Sequence, residues 1–391
     1  MQNADPVAVV GAGIAGLTMA LCLARQGFST DIFEQADALD EVGAGLQLSP
    51  NASRILTDLG LLPALQDVWS EPDSIALVDG RTLRPLTDVP AGANARSRWA
   101  APYGVLHRAS LQKILLRAVR SEPLCRLHLG KRVEGDPVAA VAAVIGRRPK
   151  VVIGADGIWS QTRASIDGAG GVRFSGNIAW RLLLPGVEAS TRLSASRVTA
   201  FLGPNAHLVA YPLREIDGFN LVAIIGGKPT AAAWIGQDSE ERRREFAAAF
   251  ENWHRDLRSM IENAVSATYW PLCTVDEGAW HNGRDLVLIG DAAHAMTPFA
   301  AQGAAMAIED ASELAHCLAT CADPPAAFGR YEHARRARIA RVRNRAAFNR
   351  FAYHARGPVR VARNLVLALK GPEALAADLD WLYGYDGSER R

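Results

Sequence analysis

Residues 290–311, which read GDAAHAMTPFAAQGAAMAIEDA, place a carboxylate where a sheet could present it to a ligand. The stretch Asp285–Ile289 before them predicts a buried strand, so Asp291 lies at the carboxyl end of a strand, where doubly wound folds bind ligands. Gly303–Thr320 predicts a long helix, and the free N–H groups at a helix start favour negative charge. The segment could therefore hold a hydroxyl and an anionic group of one ligand.

A glycine-rich turn near the start of the chain has the spacing of a dinucleotide cradle. It runs Gly11-Ala12-Gly13-Ile14-Ala15-Gly16, between an apolar strand (Val7–Val10) and an apolar helix start. The first glycine permits a tight turn, the second lets a pyrophosphate approach the backbone, and the third lets the helix pack on the strand. Alone, this turn fits NAD, NADP or FAD equally.

An acid follows the cradle at the distance expected for a nucleotide-binding sheet. The next strand, Thr30–Glu34, ends in Glu34, where such a sheet places the carboxylate that binds the adenosine ribose hydroxyls. The same carboxylate would repel a 2′-phosphate, so NADP is disfavoured in this cradle. The choice between NAD and FAD depends on the distant segment.

That distant segment favours FAD. A reduced flavin carries its negative charge at N1 and O2, which the N–H groups of Gly303 and Ala304 would stabilise. Asp291 suits a hydroxyl of the ribityl chain, although it could instead be a plain helix cap. Residues 43–52 predict a loop, including Gly45 and Gln47, whose backbone could approach a flat ring system; the alternative is an ordinary turn.

The remaining pattern predicts two kinds of sheet in one α/β chain. Short alternating strands are predicted from Ser70 to Trp99 and from Val172 to about Tyr269, the latter interrupted by one amphipathic helix, Ser239–Met260. Helices are predicted at Asn51–Leu59 and Arg108–Val119, and the tail beyond Arg330 is helical until Gly357-Pro358. The predicted strands within the second stretch include Ala179–Leu184, His207–Leu213 and Asn220–Ile225.

Composition excludes several classes of function. The chain has 391 residues, 49% of them hydrophobic and 21% charged, which is typical of a soluble globular protein. A net charge of +2 argues against nucleic acid as the main partner, and no apolar run is long enough to span a membrane. The five cysteines form no CxxC pair and lack metal-ligand spacing, which predicts reduced thiols in a cytoplasmic protein.

Basic residues crowd one predicted helix near the end of the chain. We interpret them as the solvated face of that helix, and the alternative is a patch that binds a partner or a membrane. They are Arg335, Arg336, Arg338, Arg341, Arg343, Arg345 and Arg350.

Three motifs in order resemble those of a known family. GAGIAG, GADGIWSQTR (residues 154–163) and the segment 290–311 are similar to the three fingerprints of the single-component FAD-dependent aromatic hydroxylases, over residues 5–345. The salicylate, 3-hydroxybenzoate and 6-hydroxynicotinate hydroxylases are the nearest in pattern. The resemblance implies a p-hydroxybenzoate-hydroxylase-like fold: a Rossmann-like FAD-binding domain, an inserted mainly-β substrate domain and C-terminal helices.

The resemblance also implies domain boundaries and cofactor contacts. The FAD-binding domain would comprise residues 1–70, 98–170 and 270–345, the substrate domain residues 71–97 and 171–269, and a helical segment residues 346–391. Glu34 would hold the adenosine ribose, Arg108 the pyrophosphate, and the backbone of Leu129 the adenine. Asp156 would serve both FAD and transient NAD(P)H, for which the chain has no second glycine cradle.

The activity that the resemblance implies is a monooxygenase reaction. NAD(P)H reduces the bound FAD, O2 adds to give the C4a-hydroperoxide, and one oxygen atom passes to a small hydroxylated aromatic or heteroaromatic acid. The protein would be a monomer or homodimer. Two alternatives stay open: an FAD-dependent epoxidase or oxidase acting on a non-aromatic substrate, and a protein in which FAD is a structural or sensing group.

Three residues are candidates for the substrate site. His207 and Tyr211 are four apart on a predicted strand and so share a face, and relatives place a similar pair over the substrate ring. The near-neutral pKa of histidine suits removal of a phenol proton. Gln302 could hydrogen-bond the substrate hydroxyl. A structural role is the alternative for each, and it is the role we expect of His294, behind the flavin.

One stretch departs from the family pattern. Between Lys131 and Lys150 the family usually has a β-hairpin with polar turns, whereas here Pro137–Ile145 is a short alanine-valine run. The sequence leaves the local topology of this stretch open.

Overall fold

The computed structural model describes residues 6–39, 45–186, 193–228 and 240–387. The strands are β1 (Val7–Val10), β2 (Thr30–Phe33), β3 (Gly45–Leu48), β4 (Ser74–Asp79), β5 (Pro85–Pro90), β6 (Gly104–His107), β7 (Cys125–His128), β8 (Val151–Gly154), β9 (Val172–Pro185), β10 (Arg197–Gly203), β11 (Ala206–Leu213), β12 (Gly218–Gly226), β13 (Val265–Val275) and β14 (Leu286–Leu288).

The helices are numbered here in chain order. They are α1 (Ile14–Arg25), α2 (Pro50–Asp58), α3 (Leu62–Val68), α4 (Gly92–Trp99), α5 (Arg108–Ser121), α6 (Pro137–Ile145), α7 (Gln161–Ala164), α8 (Glu240–Ala249), α9 (Arg255–Asn263), α10 (Asp291–His294), α11 (Gly303–Thr320), α12 (Pro324–Tyr353), α13 (Gly357–Leu369), α14 (Pro372–Ala377) and α15 (Asp380–Tyr383). No described helix is long and apolar enough to cross a membrane.

The five-stranded sheet is parallel throughout, in the order β14-β8-β1-β2-β7. All four residues of β1 are buried, as expected of a strand covered by helices on both faces. The predicted unit of strand, glycine turn and helix is confirmed, and Gly27 has the positive φ expected after the end of α1. Helix α11 packs on α1, α2 and α12, and so joins distant parts of the chain.

The seven-stranded sheet has the order β13-β9-β12-β11-β10-β4-β5, with one parallel pair, β10 and β4. Its strands come from two separate stretches of the chain, and the three strands predicted between residues 179 and 225 are confirmed. One face packs on Phe246 of α8, on Phe250 and Trp253 between the two helices, and on Leu257 of α9. The other face is directed at the FAD-binding part, since Tyr211 and Leu213 belong to the hydrophobic core that includes β1.

The prediction of one helix over Ser239–Met260 is wrong. The structure has two helices, α8 and α9, and Ser239 lies outside the described residues. The break coincides with tight packing of Trp253. Its indole lies so close to Gly80 and Gly203 that a Cβ at either glycine would overlap the ring. The side chain of His254 then caps α9 by accepting the N–H of Asp256.

Two local stretches also differ from the sequence prediction. The loop predicted at residues 43–52 contains strand β3, which pairs antiparallel with β6; Gly43 and Ala44 lie outside the described residues. The alanine-valine run that replaces the family hairpin forms α6. The carboxylate of Asp136 accepts two N–H groups at its start, and Gly146 ends it with a positive φ, so the departure is a capped helix.

Candidate active site

The three glycines of the cradle have the roles that their spacing predicts. Gly11 has a φ of 101°, and a Cβ there would collide with the backbone of Ala155. A Cβ at Gly16 would collide with the carbonyl of Gly11, so α1 and β1 approach closely. Gly13 caps α1 and faces open space. A phosphate could therefore reach the free N–H groups at the start of α1.

Glu34 lies beside this turn, at the end of β2. Its carboxylate accepts the N–H of Ala12 (2.9 Å) and of Ala36 (3.0 Å). Its own N–H donates to the carbonyl of His128, next to Leu129. The two residues predicted for the adenosine half of FAD, Glu34 and Leu129, thus lie at the same edge of the sheet.

Asp156 follows β8, directly after the Ala155 that contacts Gly11. Its carboxylate accepts the Ser160 hydroxyl (2.5 Å) and both the N–H (3.0 Å) and the hydroxyl (2.9 Å) of Thr162. Asp156 therefore orders the start of α7 beside the cradle, and a cofactor would share its oxygens with these groups.

The third motif meets the cradle at a small-residue contact. Gly290, with a φ of 59°, approaches Ala15 of α1 so closely that a Cβ would lie 3.3 Å from the Ala15 methyl. Asp291 follows as the first residue of α10, and its side chain is exposed with no partner among the described residues. It caps nothing, since Gly290 is the capping residue, so the carboxylate is available to a ligand.

The start of α11 is open in the same way. Gly303 has no atom within 4 Å of the position of a Cβ, and Gln302, which caps the helix, makes no side-chain capping bond.

Three further predicted cofactor contacts lie in or next to the small β3–β6 sheet. Arg108 begins α5 directly after β6, and His107 of β6 pairs with Gly45 of β3. Gln47 of β3 accepts the Tyr103 hydroxyl at 2.6 Å.

A buried ion network lies behind the third motif. Asp310 of α11 accepts the N–H of Gly290 (2.8 Å), and pairs with His294 (2.6 Å) and Arg335 (2.7 Å). Burial opposes ionisation, but His294 and Arg335 outweigh it and lower the pKa of Asp310 to about 2. The expected structural role of His294 is confirmed, because this contact fixes the turn that carries Asp291.

Glu309 extends the network toward the N-terminal part of the chain. It pairs with Arg335 (2.5 Å) and Arg338 (2.8 Å) and accepts the side-chain amide of Asn51 (2.6 Å). Burial alone would raise the pKa of Glu309, and the two arginines lower it instead. The interpretation of the arginine-rich stretch as a solvated face is wrong for Arg335 and Arg338, which are 0% and 7% exposed.

The same network includes Gln302. Its amide oxygen accepts from Asn51 (3.2 Å), its amide nitrogen donates to Ser49 (3.0 Å), and the side chain is buried. These contacts do not agree with the prediction that Gln302 binds a substrate hydroxyl. The structure assigns it to a link between the start of α11 and the segment before α2.

Sequence reasoning missed this network, although a signal was present. Glu309 and Asp310 follow six small or apolar residues at the start of the helix, and buried carboxylates require partners. The partners are arginines on α12, which no short spacing connects to them.

The face of the substrate sheet that is directed at the FAD-binding part can be traced along its strand pairing. His207 and Tyr211 share this face, as predicted. Asn220 of β12 is the cross-strand partner of Tyr211, and Arg181 of β9 pairs with Val222, which is two residues from Asn220 on the same face. The Arg181 guanidinium lies 4.8 Å from the ring of Trp270. Sequence reasoning missed Arg181 and Asn220, because only the register of the strands shows that they lie on this face.

His207 is buried among aromatic side chains. Its Nδ1 lies 2.9 Å from Nε2 of His354, and its ring is 5.3 Å from those of Phe299 and Tyr353. Burial first, and His354 second, lower the pKa of His207 well below its ordinary value. The expected near-neutral pKa is therefore wrong, and His207 is a neutral imidazole at pH 7.

Tyr211 and Asn220 meet β3. Asn220 accepts the N–H of Gly45 at 2.9 Å, whereas its buried side-chain amide nitrogen has no hydrogen-bond partner among the described residues. A Cβ at Gly45 would lie 2.7 Å from the Tyr211 hydroxyl. Burial raises the pKa of Tyr211 above its ordinary value, although Arg181 opposes the shift, so the phenol keeps its proton.

Comparison with known proteins gives matches along nearly the whole chain. The FAD binding domain family matches residues 5–346. The chain is 34% identical to 3-hydroxybenzoate 6-hydroxylase 1 of Aquipseudomonas alcaligenes, covering 98% of each chain. It is 35% identical to 3-amino-4-hydroxybenzoate 2-monooxygenase PtnB3 of Streptomyces platensis (98% and 96% covered) and 30% identical to 6-hydroxynicotinate 3-monooxygenase of Bordetella bronchiseptica (99% and 96% covered).

Solved structures support the fold. Klebsiella pneumoniae HpxO complexed with FAD and uric acid superposes with a TM-score of 0.80 at 21% identity, covering 97% of this chain and 96% of that chain. A salicylate hydroxylase substrate complex gives 0.79 at 23% identity, with 100% and 98% covered. The chain belongs to the FAD-binding family of single-component flavoprotein aromatic hydroxylases.

Proposed function

We propose that this chain is an NAD(P)H-dependent FAD monooxygenase that hydroxylates a small hydroxylated aromatic or heteroaromatic acid. The observation that carries the substrate class is the polar face of the substrate sheet, where Tyr211, Asn220 and Arg181 lie together opposite the flavin motif. Relatives that act on hydroxybenzoates and hydroxynicotinate support the same class.

The residues present fit FAD. Open space at Gly13 and at Gly303 leaves room for a phosphate and for the edge of a ring, and the unpartnered Asp291 suits a ribityl hydroxyl. We keep Glu34, Arg108 and Leu129 as proposed contacts of the adenosine and pyrophosphate groups of FAD, and Asp156 as a proposed contact of both FAD and transient NAD(P)H. When bound, FAD supplies the oxygen activation, for which these side chains have no equivalent.

Substrate orientation is the task of the sheet face. The protonated Tyr211 hydroxyl and the free amide of Asn220 are both donors, which suit a carboxylate or a phenolate oxygen. The Arg181 cation lies near enough to Tyr211 to influence its pKa and would favour an anionic ring. Because the face is buried, water is excluded and these donors act at full strength.

His207 has a relay role in this proposal. A neutral imidazole can accept a proton at one nitrogen as it releases one at the other. Its contact with His354, which lines a surface cavity, offers a route by which a phenol proton leaves the buried site. His207 and Tyr211 remain our proposed catalytic residues, and Gln302 becomes a positioning residue.

A substrate screen with the purified flavoprotein tests the proposal. Salicylate, 3-hydroxybenzoate, 6-hydroxynicotinate and 3-amino-4-hydroxybenzoate are added separately, and NAD(P)H consumption is recorded with the product mass. We expect one or more acids to stimulate consumption and to gain one oxygen atom. A protein that stays colourless with FAD, or full activity in both His207→Ala and Tyr211→Phe, would contradict it.

Assembly and compartment are parts of the same proposal. All five cysteines are free thiols, in keeping with a reducing cytoplasm. A monomer or homodimer is expected, and light scattering of the purified protein decides between them.

A further inference from the structure

A surface cavity of about 900 Å³ lies beside the flavin motif, with Met296 and Thr297 in its lining. Its walls are the start of β9, the end of β13 and the last turns of α12. Resting on the proposed function, we propose that this cavity binds the pyrophosphate of NAD(P)H, the co-substrate for which the sequence has no second cradle.

Charge is the first argument for an anionic ligand. Four arginines line the cavity, against the two acids Asp276 and Glu277; they are Arg173, Arg343, Arg350 and Arg356. Arg173 forms a salt bridge with Asp276 (2.9 Å), and Arg343 donates a hydrogen bond to the carbonyl of Val275 (2.8 Å).

Arg350 and Arg356 are the cations that remain. Both side chains are exposed, and within the described ranges neither has a carboxylate or a hydrogen-bond partner. A guanidinium presents a fork of donors that matches phosphate oxygens. Two such groups at the mouth of one cavity suit the two phosphates of a dinucleotide.

Position is the second argument. Met296 and Thr297 line the cavity, and in the sequence they lie between Asp291 and Gly303, the residues proposed to hold the flavin. A ligand held here would share a wall with the bound cofactor, as hydride transfer requires. Tyr211, Asn220 and Arg181 are not among the lining residues, so the acid and the dinucleotide would approach from different sides.

Size and access separate this site from one for the aromatic acid. Ligand pockets range over about 300–1,000 Å³, and this cavity is near the upper limit, far larger than a single-ring acid needs. Exposed residues at its rim, including Phe351 and Val359, leave it open to solvent, which a co-substrate that leaves after each reaction requires.

The test measures flavin reduction in the holoenzyme. The variants Arg350→Gln, Arg356→Gln and the double variant are mixed anaerobically with NADH and, separately, NADPH, and the rate of flavin bleaching gives the Kd of each. We expect the Kd to rise at least about tenfold in the double variant, as for lost hydrogen bonds to a charged group. The matched control is Arg341→Gln, an exposed arginine of α12 outside the cavity, which should match the wild type.

Two further readouts make the result specific. The KM of the aromatic acid and the FAD content should be unchanged in the double variant, and added salt should weaken NAD(P)H binding less than in the wild type. A Kd for NAD(P)H within twofold of the wild type, or a larger rise in the KM of the acid, would overturn the proposal. A wild-type protein without FAD, or without acid-stimulated NAD(P)H consumption, would instead refute the proposed function.

Discussion

Two regions of the molecule each bury a histidine, in opposite electrostatic surroundings. One is the ion network around Asp310, behind the flavin motif, and the other is the face of the substrate sheet that carries His207. His294 touches the carboxylate of Asp310 at 2.6 Å, within a group of ions that satisfy one another. His207 touches another histidine, His354, at 2.9 Å, and is surrounded by rings. One region is a complete set of paired ions, and the other surrounds an uncharged histidine and holds an unpaired donor in Asn220.

The difference follows from what each region must do. Buried ions are tolerated only when partners with good geometry surround them, and such a group resists any change of arrangement. That suits a turn that must hold a permanent cofactor. A site for a transient substrate needs donors that the protein leaves free, since the ligand then completes their hydrogen bonds. Three predictions test this contrast.

The largest effect is expected from Arg335→Met. The variant leaves Glu309 and Asp310 without their shared buried cation, which costs about 3–5 kcal/mol for a broken buried pair. Denaturant unfolding should show a much lower midpoint, and the purified protein should lose FAD. The control is Arg341→Met, an exposed residue of the same helix that stacks on Trp381 and has no contact with Glu309 or Asp310. An unfolding midpoint and FAD content equal to those of the control would show that the network does not hold the motif.

Acid should weaken the two regions in different pH ranges. Burial and then Arg350 lower the pKa of His354 from 6.5 to about 4, so the unfolded chain binds this proton first and stability falls as the pH drops from about 6.5 to 4. The loss is on the order of 3 kcal/mol. Asp310, with its pKa lowered from 3.8 to about 2, contributes stability that is present above about pH 4 and lost toward pH 2.

Denaturant titrations across this range check the order of these losses. His354→Gln should reduce the slope of the profile between pH 6.5 and 4, and the slope that remains includes the contribution of His207, whose pKa is also lowered. An unaltered slope in the upper range would mean that the histidine contact is not the source of the loss.

The smallest effect on stability is expected from Tyr211→Phe. No described residue hydrogen-bonds this hydroxyl, so its removal should change the free energy of unfolding by less than about 0.5 kcal/mol. Loss of a hydrogen bond to an anionic substrate should instead lower kcat/KM at least about tenfold. Unfolding curves and steady-state kinetics on one preparation measure both. A large loss of stability with unchanged kcat/KM would assign Tyr211 to the fold.

Features that depend on residues close together in the sequence could be predicted, and features that depend on distant residues could not. The cradle was predictable to the residue because its chemistry lies within six positions, and Gly11, Gly13 and Gly16 adopt the expected roles. The shared face of His207 and Tyr211 followed from strand periodicity alone. The partners of Gln302 and the pKa of His207 could not be predicted, since both depend on residues far away in the chain.

The contact between Gly45 and Asn220 has a consequence for how the chain folds. It joins residues 175 apart in sequence, and contacts of such separation form slowly because a long loop must close first. Strand β3, which carries the proposed flavin contacts Gly45 and Gln47, therefore gains this hydrogen bond only after the inserted sheet has folded. A nascent chain cannot finish its cofactor pocket from the N-terminal half alone, and FAD binding becomes a checkpoint that reports the completed molecule.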